Sequence, residues 1–152
     1  MIIDATDLIL GRMATVVAKK ALIGEKIDII NCENAVVTGD KKNILANYKQ
    51  KKDRGIPLHG PYFPRYPDRL VRRTIRGMLP WKRTRGREAF KRVMCYISVP
   101  EQFKDKKIET IKEANVEKLP NTKYLTIKDI CKYLGAKITE TQSVSGMSKI
   151  TK

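Results

Sequence analysis

With one histidine, one tryptophan and three cysteines in 152 residues, the chain is short of the side chains that most catalytic and metal sites use. His59 has no HxxH or HExxH partner and no neighbouring cysteine, so nothing arranges a second group for metal binding or general-base chemistry. Cys32, Cys95 and Cys131 are odd in number, far apart and free of CxxC spacing. They support neither a disulfide framework nor a zinc site and read as buried thiols. There is no apolar run of the roughly 18 residues that a membrane helix requires. The opening "MIIDATDLILGRMA" lacks a basic region followed by an apolar stretch and a cleavage site, so a cytoplasmic protein is expected. Walker and GxGxxG fingerprints are missing, as are nucleophile and paired-carboxylate signatures. The sequence gives no support for a catalytic residue, a metal, a cofactor or a small-molecule substrate.

Acid is scarce as well: 16 Asp and Glu stand against 32 Lys and Arg, for a net charge of +16 and a pI near 9.9. The scarcity is local. Residues 41–92 hold 17 basic and 3 acidic residues, whereas the remainder holds 15 and 13. This is a nearly neutral body carrying a basic surface, and nucleic acid is the usual partner for such a surface. A length of 152 residues with 41% hydrophobic content suits one domain with a real core.

The densest basic pattern is "DRLVRRTIRGMLP", residues 68–80. On a helix, where each residue turns about 100°, Arg69, Arg72, Arg73 and Arg76 fall within roughly 60° of one direction. Leu70, Val71, Thr74, Ile75 and Met78 gather on the other side. Pro67 suits a first turn, Asp68 suits the positive end of the helix dipole, and Pro80 takes Leu79 out of helical geometry, which predicts a helix over 67–78. A solvated helix ordinarily interleaves acids at three- or four-residue spacing, and this basic face has none. Unrelieved arginines imply anions on a partner, and the guanidinium fork matches phosphate. The opposite face lacks the large aromatics of a membrane-surface helix, so no membrane partner is expected.

Along the chain, "MIIDA" reads as a strand. "LGRMATVVAKKALIG" reads as a helix burying Leu10, Met13, Ala14, Val17, Ala18 and Ala21, with Gly24 as its stop. "KIDIINC" is a buried strand, "NAVVTGD" a second apolar run ending in turn chemistry, and "KKNILANYKQKK" another helix. This alternation predicts an α/β fold with a parallel sheet covered by helices. Residues 53–67 hold four of the seven prolines and read as a long irregular loop, of a length that is usually either functional or disordered. "WKRTRGREAFKR" gives a basic turn and a short helix, "VMCYISVP" a buried strand, and "LTIKDICKYLG" a late helix with Thr126 as N-cap and Gly135 as stop. Residues 1–137 are read as a single domain and 138–152 as a flexible tail.

In the loop, Arg54, His59 and Arg65 are candidates to hold phosphates, and Lys49, Lys51 and Lys52 precede them on the helix. Tyr62, Phe63 and Tyr66 either stack on bases or pack the loop onto its own domain. Arg12 opens a helix after a strand, where it either meets a phosphate or simply faces solvent.

"RGMLP", five residues, "GR", five more and "VMCYIS" together resemble the signature of the universal ribosomal protein L13 family, in its archaeal and eukaryotic branch. "IIDATDLILGRMATVVAK" and "NAVVTGDKKNILANYKQKK" share the resemblance, which covers roughly residues 1–135. It implies a three-layer α/β/α sandwich with a small parallel sheet, seated on the large ribosomal subunit against its rRNA and beside neighbouring ribosomal proteins. The residues it marks as RNA-facing are Arg69, Arg72, Arg73 and Arg76, then Lys82, Arg83, Arg85 and Arg87, with Arg12 and the 49–65 segment matching less tightly in type. A free RNA-binding regulator of translation is the rival reading that the same surface permits.

Overall fold

A computed structural model describes residues 1–56, 58–120 and 123–137; the tail expected at 138–152 lies outside them. Two short apolar runs, β1 (Ile2–Asp4) and β2 (Ile27–Ile30), lie parallel and are joined by helix α1 (Leu10–Ile23). β4 (Val93–Cys95) adds to the β2 edge and β5 (Ile108–Glu109) to the β1 edge, giving a four-stranded parallel sheet in the order β4-β2-β1-β5. The α/β class and the parallel sheet expected from sequence are therefore present.

Alternation along the strands divides the sheet into two faces. On one, Ile3, Ile27, Ile29 and Val93 join a large apolar cluster with Met13, Ala14 and Val17 of α1. Leu70, Val71 and Ile75, from helix α3 (Pro67–Met78), complete that cluster. On the other face, Ile2 and Ile30 meet Phe103, with Tyr96 and Val99 packed alongside. The buried residues among those described are all hydrophobic. The six residues expected to form the inner stripe of α1 are the ones it buries, and Gly24 closes it in the left-handed conformation. α3 spans the residues expected, with Leu79 extended ahead of Pro80.

The strand pattern departs from expectation in three places. β3 (Val36–Thr38) is not in the parallel sheet; it pairs antiparallel with β6 (Tyr124–Thr126), Val37 opposite Leu125. The link from β2 to β3 is a single 3-10 turn, Cys32–Asn34, far too short for the crossover that a parallel neighbour needs. The run expected as a buried strand at "VMCYISVP" is an edge strand that ends at Cys95. Beyond it Ser98 adopts a φ of 56° and donates its N–H to the Glu33 carboxylate at 3.0 Å, while its carbonyl accepts the Asn31 N–H at 3.2 Å. β5, two exposed residues long, gave no sequence signal.

Helix α2 (Lys41–Asp53) buries Ile44, with Leu45 and Tyr48 packed against the core. Helix α5 (Ile127–Tyr133) starts as expected: Thr126 Oγ1 accepts the Asp129 N–H at 3.2 Å. Helix α4 (Thr84–Lys91) packs on α1, and its Gly86 presses against the turn that leaves α3. A Cβ at Gly86 would lie 2.1 Å from the Pro80 carbonyl oxygen, which is backbone and cannot swing away. Gly86→Ala is therefore expected to lower stability by roughly 1–3 kcal/mol, the usual range for overpacking, measurable by denaturant unfolding. An unchanged midpoint would mean that the α3–α4 turn yields.

Two of the three thiols are buried as expected, Cys32 and Cys131; Cys95, at the end of an edge strand, is only half-buried. A hydrogen bond with Cys95, followed by burial, raises the Cys32 pKa well above 9.0. Burial, followed by the Asp68 charge, pushes Cys131 up to about 12. Both folded-state values lie above the unfolded one, so this contribution to stability is complete below about pH 9 and is lost as pH rises toward 12. Stability measured across pH is expected to decline above about pH 9, and less steeply in Cys131→Ala. Equal slopes would remove Cys131 from the account.

Candidate nucleic-acid interface

With Leu70, Val71 and Ile75 locked into the core, the opposite side of α3 must face outward. Arg69 and Arg76 are exposed, while Arg72 and Arg73 are half-buried. Among the described residues, none of these four arginines has a carboxylate within salt-bridge distance; the Lys104–Glu101 ion pair at 3.9 Å lies elsewhere. What holds three of them is aromatic. The Arg72 guanidinium carbon sits 4.5 Å from the Phe90 ring centroid, Arg73 sits 4.6 Å from Phe63, and Arg76 sits 5.5 Å from Trp81. Each aromatic comes from a different segment: the loop before α3, the turn after it, and α4.

These supports brace one another. Trp81 meets Phe90 edge-on at 5.0 Å, and Phe63 meets Tyr48 of α2 at 6.0 Å. Arg73 Nη1 also donates to the Tyr62 carbonyl at 3.4 Å, and Arg87 Nε donates to the Trp81 carbonyl at the same distance. Arg72 Nε and Asp68 Oδ1, one helical turn apart, are both shielded from solvent without a protein partner. With Nε shielded, the donors Arg72 can offer outward are on its two terminal nitrogens.

Three connected depressions cross this surface. The first, about 550 Å³, lies between Lys52, Arg54, Tyr62 and Arg65. The second, about 410 Å³, shares Arg54 and Phe63 with it and reaches Arg73 and Gly77. The third, about 240 Å³, is ringed by Arg69, Arg72, Arg73 and Arg76 with Phe90 beneath. All three are open, basic and part-aromatic, which suits a chain of phosphates with bases better than a small ligand.

The remaining sequence candidates are spread over four places. Lys82, Arg83, Arg85 and Arg87 are exposed on the turn and α4, continuing the α3 surface. Lys49 and Lys51 are exposed on α2, with Lys51 Nζ 5.1 Å from the Tyr48 ring. His59 is exposed in a tight turn where Ile56 and Gly60 exchange backbone hydrogen bonds at 3.2 and 2.8 Å. Gly55 enables that turn: its φ is +98°, and a Cβ there would meet the Gly60 carbonyl oxygen at 2.1 Å. Arg12 is exposed on α1, one turn from Thr15, whose hydroxyl lies 3.5 Å from the Met78 sulfur at the end of α3. Among the described residues, no hydrogen bond or ion pair links Arg12 to the arginine cluster.

The loop aromatics divide. Phe63 packs on the core and carries Arg73; Tyr62, 71% exposed, donates its hydroxyl to the Leu58 carbonyl at 3.1 Å; Tyr66 is exposed at the N-terminus of α3. Sequence reasoning missed Trp81 and Phe90 as arginine supports, although both stand inside the basic run "WKRTRGREAFKR". Among the described residues, no group of three His, Cys, Asp or Glu is placed to hold a metal.

A double-mutant cycle on Arg72→Ala and Phe90→Leu, read by denaturant unfolding, is expected to give a coupling of roughly 0.5–1 kcal/mol. Strict additivity would mean that the stacking contributes nothing to the fold.

The profile of the family described as Ribosomal protein L13 matches residues 1–102. The large ribosomal subunit protein uL13 of Archaeoglobus fulgidus is 47% identical over 135 residues, covering 88% of this chain and 86% of that protein. Its counterpart in Methanosarcina barkeri is 45% identical over 137 residues, covering 90% and 98%. That of Methanocaldococcus jannaschii is 47% identical over 140 residues, also covering 90% and 98%.

Proposed function

Because this chain belongs to the ribosomal protein L13 family, we propose that its basic surface binds large-subunit rRNA and helps that RNA fold and assemble. The chain is a structural component of the large ribosomal subunit rather than an enzyme, associated with the ribosome in the cytoplasm. The observation that carries the finer reading is the α3 face: four arginines with no acidic partner among the described residues, three of them set over aromatic rings.

In this reading Arg69, Arg72, Arg73 and Arg76 hold phosphates along α3, and Lys82, Arg83, Arg85 and Arg87 extend the contact onto the turn and α4. Lys49, Lys51, Lys52, Arg54, His59 and Arg65 line a second RNA segment beside the first. Arg12 flanks the far end of α3. A ring face against the guanidinium of Arg72, Arg73 and Arg76 holds each of these three in place before the phosphate arrives, with terminal N–H donors left to meet it. The apolar face of the same helix transmits that position to the core. Neighbouring ribosomal proteins complete the setting.

If about eight phosphates are held, the slope of log K against log salt for an rRNA fragment should be roughly −6 to −7. A slope near −1 would defeat the clamp. The companion measurement is gradient sedimentation of native lysate: the chain should travel with the large subunit through a high-salt wash. Persistence in the light fractions at both salts would favour a free regulator instead.

A further inference from the structure

Gly77 is the second-last residue of α3, a place where glycine has no obvious use. Its backbone is not left-handed, and a Cβ built there meets nothing within 4 Å. Glycine is the poorest helix former after proline, so the fold would tolerate alanine or leucine better. Nothing in the described structure crowds position 77, so a bare backbone there leaves its space open to a partner from outside the protein. Gly77 borders a fourth open depression, about 480 Å³, walled by Pro80 and Trp81 and flanked by Arg76, Lys82 and Arg83. That volume falls within the roughly 300–1,000 Å³ range of small-ligand sites. Its lining divides by chemistry into apolar Leu79, Pro80 and Trp81 and cationic Arg76, Lys82 and Arg83, and Trp81 is 41% exposed overall. A base with its own phosphate has the same division.

We propose that this cleft takes a single unpaired nucleotide of RNA, its base against Pro80 and the part of Trp81 that Arg76 and Phe90 leave uncovered, its phosphate on Arg76, Lys82 and Arg83, and its backbone passing over Gly77. The proposal rests on the RNA-binding reading above and adds one discrete base-accepting position to it. A side chain at position 77 would stand where the nucleotide enters.

Trp81 is the sole tryptophan of the chain, so its fluorescence reports on the cleft. The test titrates the full chain with single-stranded oligoadenylate and with an abasic oligomer of equal length, following both Trp81 emission and the anisotropy of the labelled oligomer. Oligoadenylate should quench Trp81 while the abasic oligomer binds without doing so. Gly77→Leu should weaken oligoadenylate by roughly tenfold, as loss of one base–aromatic contact implies, and weaken the abasic oligomer, which has no base to lose, by clearly less. The melting temperatures of Gly77→Leu and Gly77→Ala should equal or exceed that of the parent. If both oligomers bind equally, leave Trp81 unchanged and ignore the leucine, the cleft is refuted while the basic surface stands. If neither binds, the RNA-binding reading falls and the cleft with it. A lowered melting temperature in both variants would show that the protein itself requires the glycine, which also overturns the proposal.

Discussion

Burial of Leu70, Val71 and Ile75 against α1 and the sheet sets the roll of α3 about its own axis, and most of the basic surface is positioned by that roll. A helix with one face locked has no rotational freedom left. Arg69, Arg72, Arg73 and Arg76 point outward because their neighbours in sequence cannot leave the core. The loop before α3 and the turn after it inherit their positions from the same helix, through Pro67 at one end and Leu79 at the other, both buried. A polar substitution in the inner stripe would thus disturb the RNA-facing side without touching any of its cations.

Four like charges on three turns of helix repel one another, and no acid in that face relieves them. The protein meets this cost with ring faces instead of carboxylates. A ring quadrupole attracts a guanidinium without neutralising it, so the cation stays available to a phosphate. A carboxylate would have to be displaced first. This choice also explains arginine over lysine at Arg72, Arg73 and Arg76: a flat group lies on a ring and keeps an edge of donors free, whereas an ammonium offers a point.

What could be read from sequence follows the range of the interactions involved. α1 and α3 were legible to the residue because their apolar periodicity, prolines and terminal glycine act within a few positions. Thr126 was legible as a cap for the same reason. The β3–β6 pairing was not, because nothing local in "NAVVTGD" says that Val37 will meet Leu125. The shortness of the link from β2 did carry a hint, since it rules out a parallel return. The arginine cluster was visible as a helical stripe, but its aromatic supports lie in separate segments and meet it only through tertiary packing. Phe63 illustrates the ambiguity: the alternatives of base stacking and core packing look identical in sequence, and the structure places its ring between Tyr48 and Arg73.

Charge and core are otherwise kept apart. The buried residues are hydrophobic throughout the described chain, and the excess of positive charge falls in residues 41–92. Stability and RNA contact can therefore be varied separately over most of the molecule. They converge at Phe63, Phe90 and Gly86. The first two belong to the packing that holds the loop and α4 while also carrying arginines, and the third lets α4 close on the turn that bears Trp81. Such positions constrain a basic surface more tightly than the cations do, since one lysine or arginine can be lost from a many-point phosphate contact. Phe90, by contrast, carries Arg72 and also braces Trp81 under Arg76, so its loss reaches two of them together.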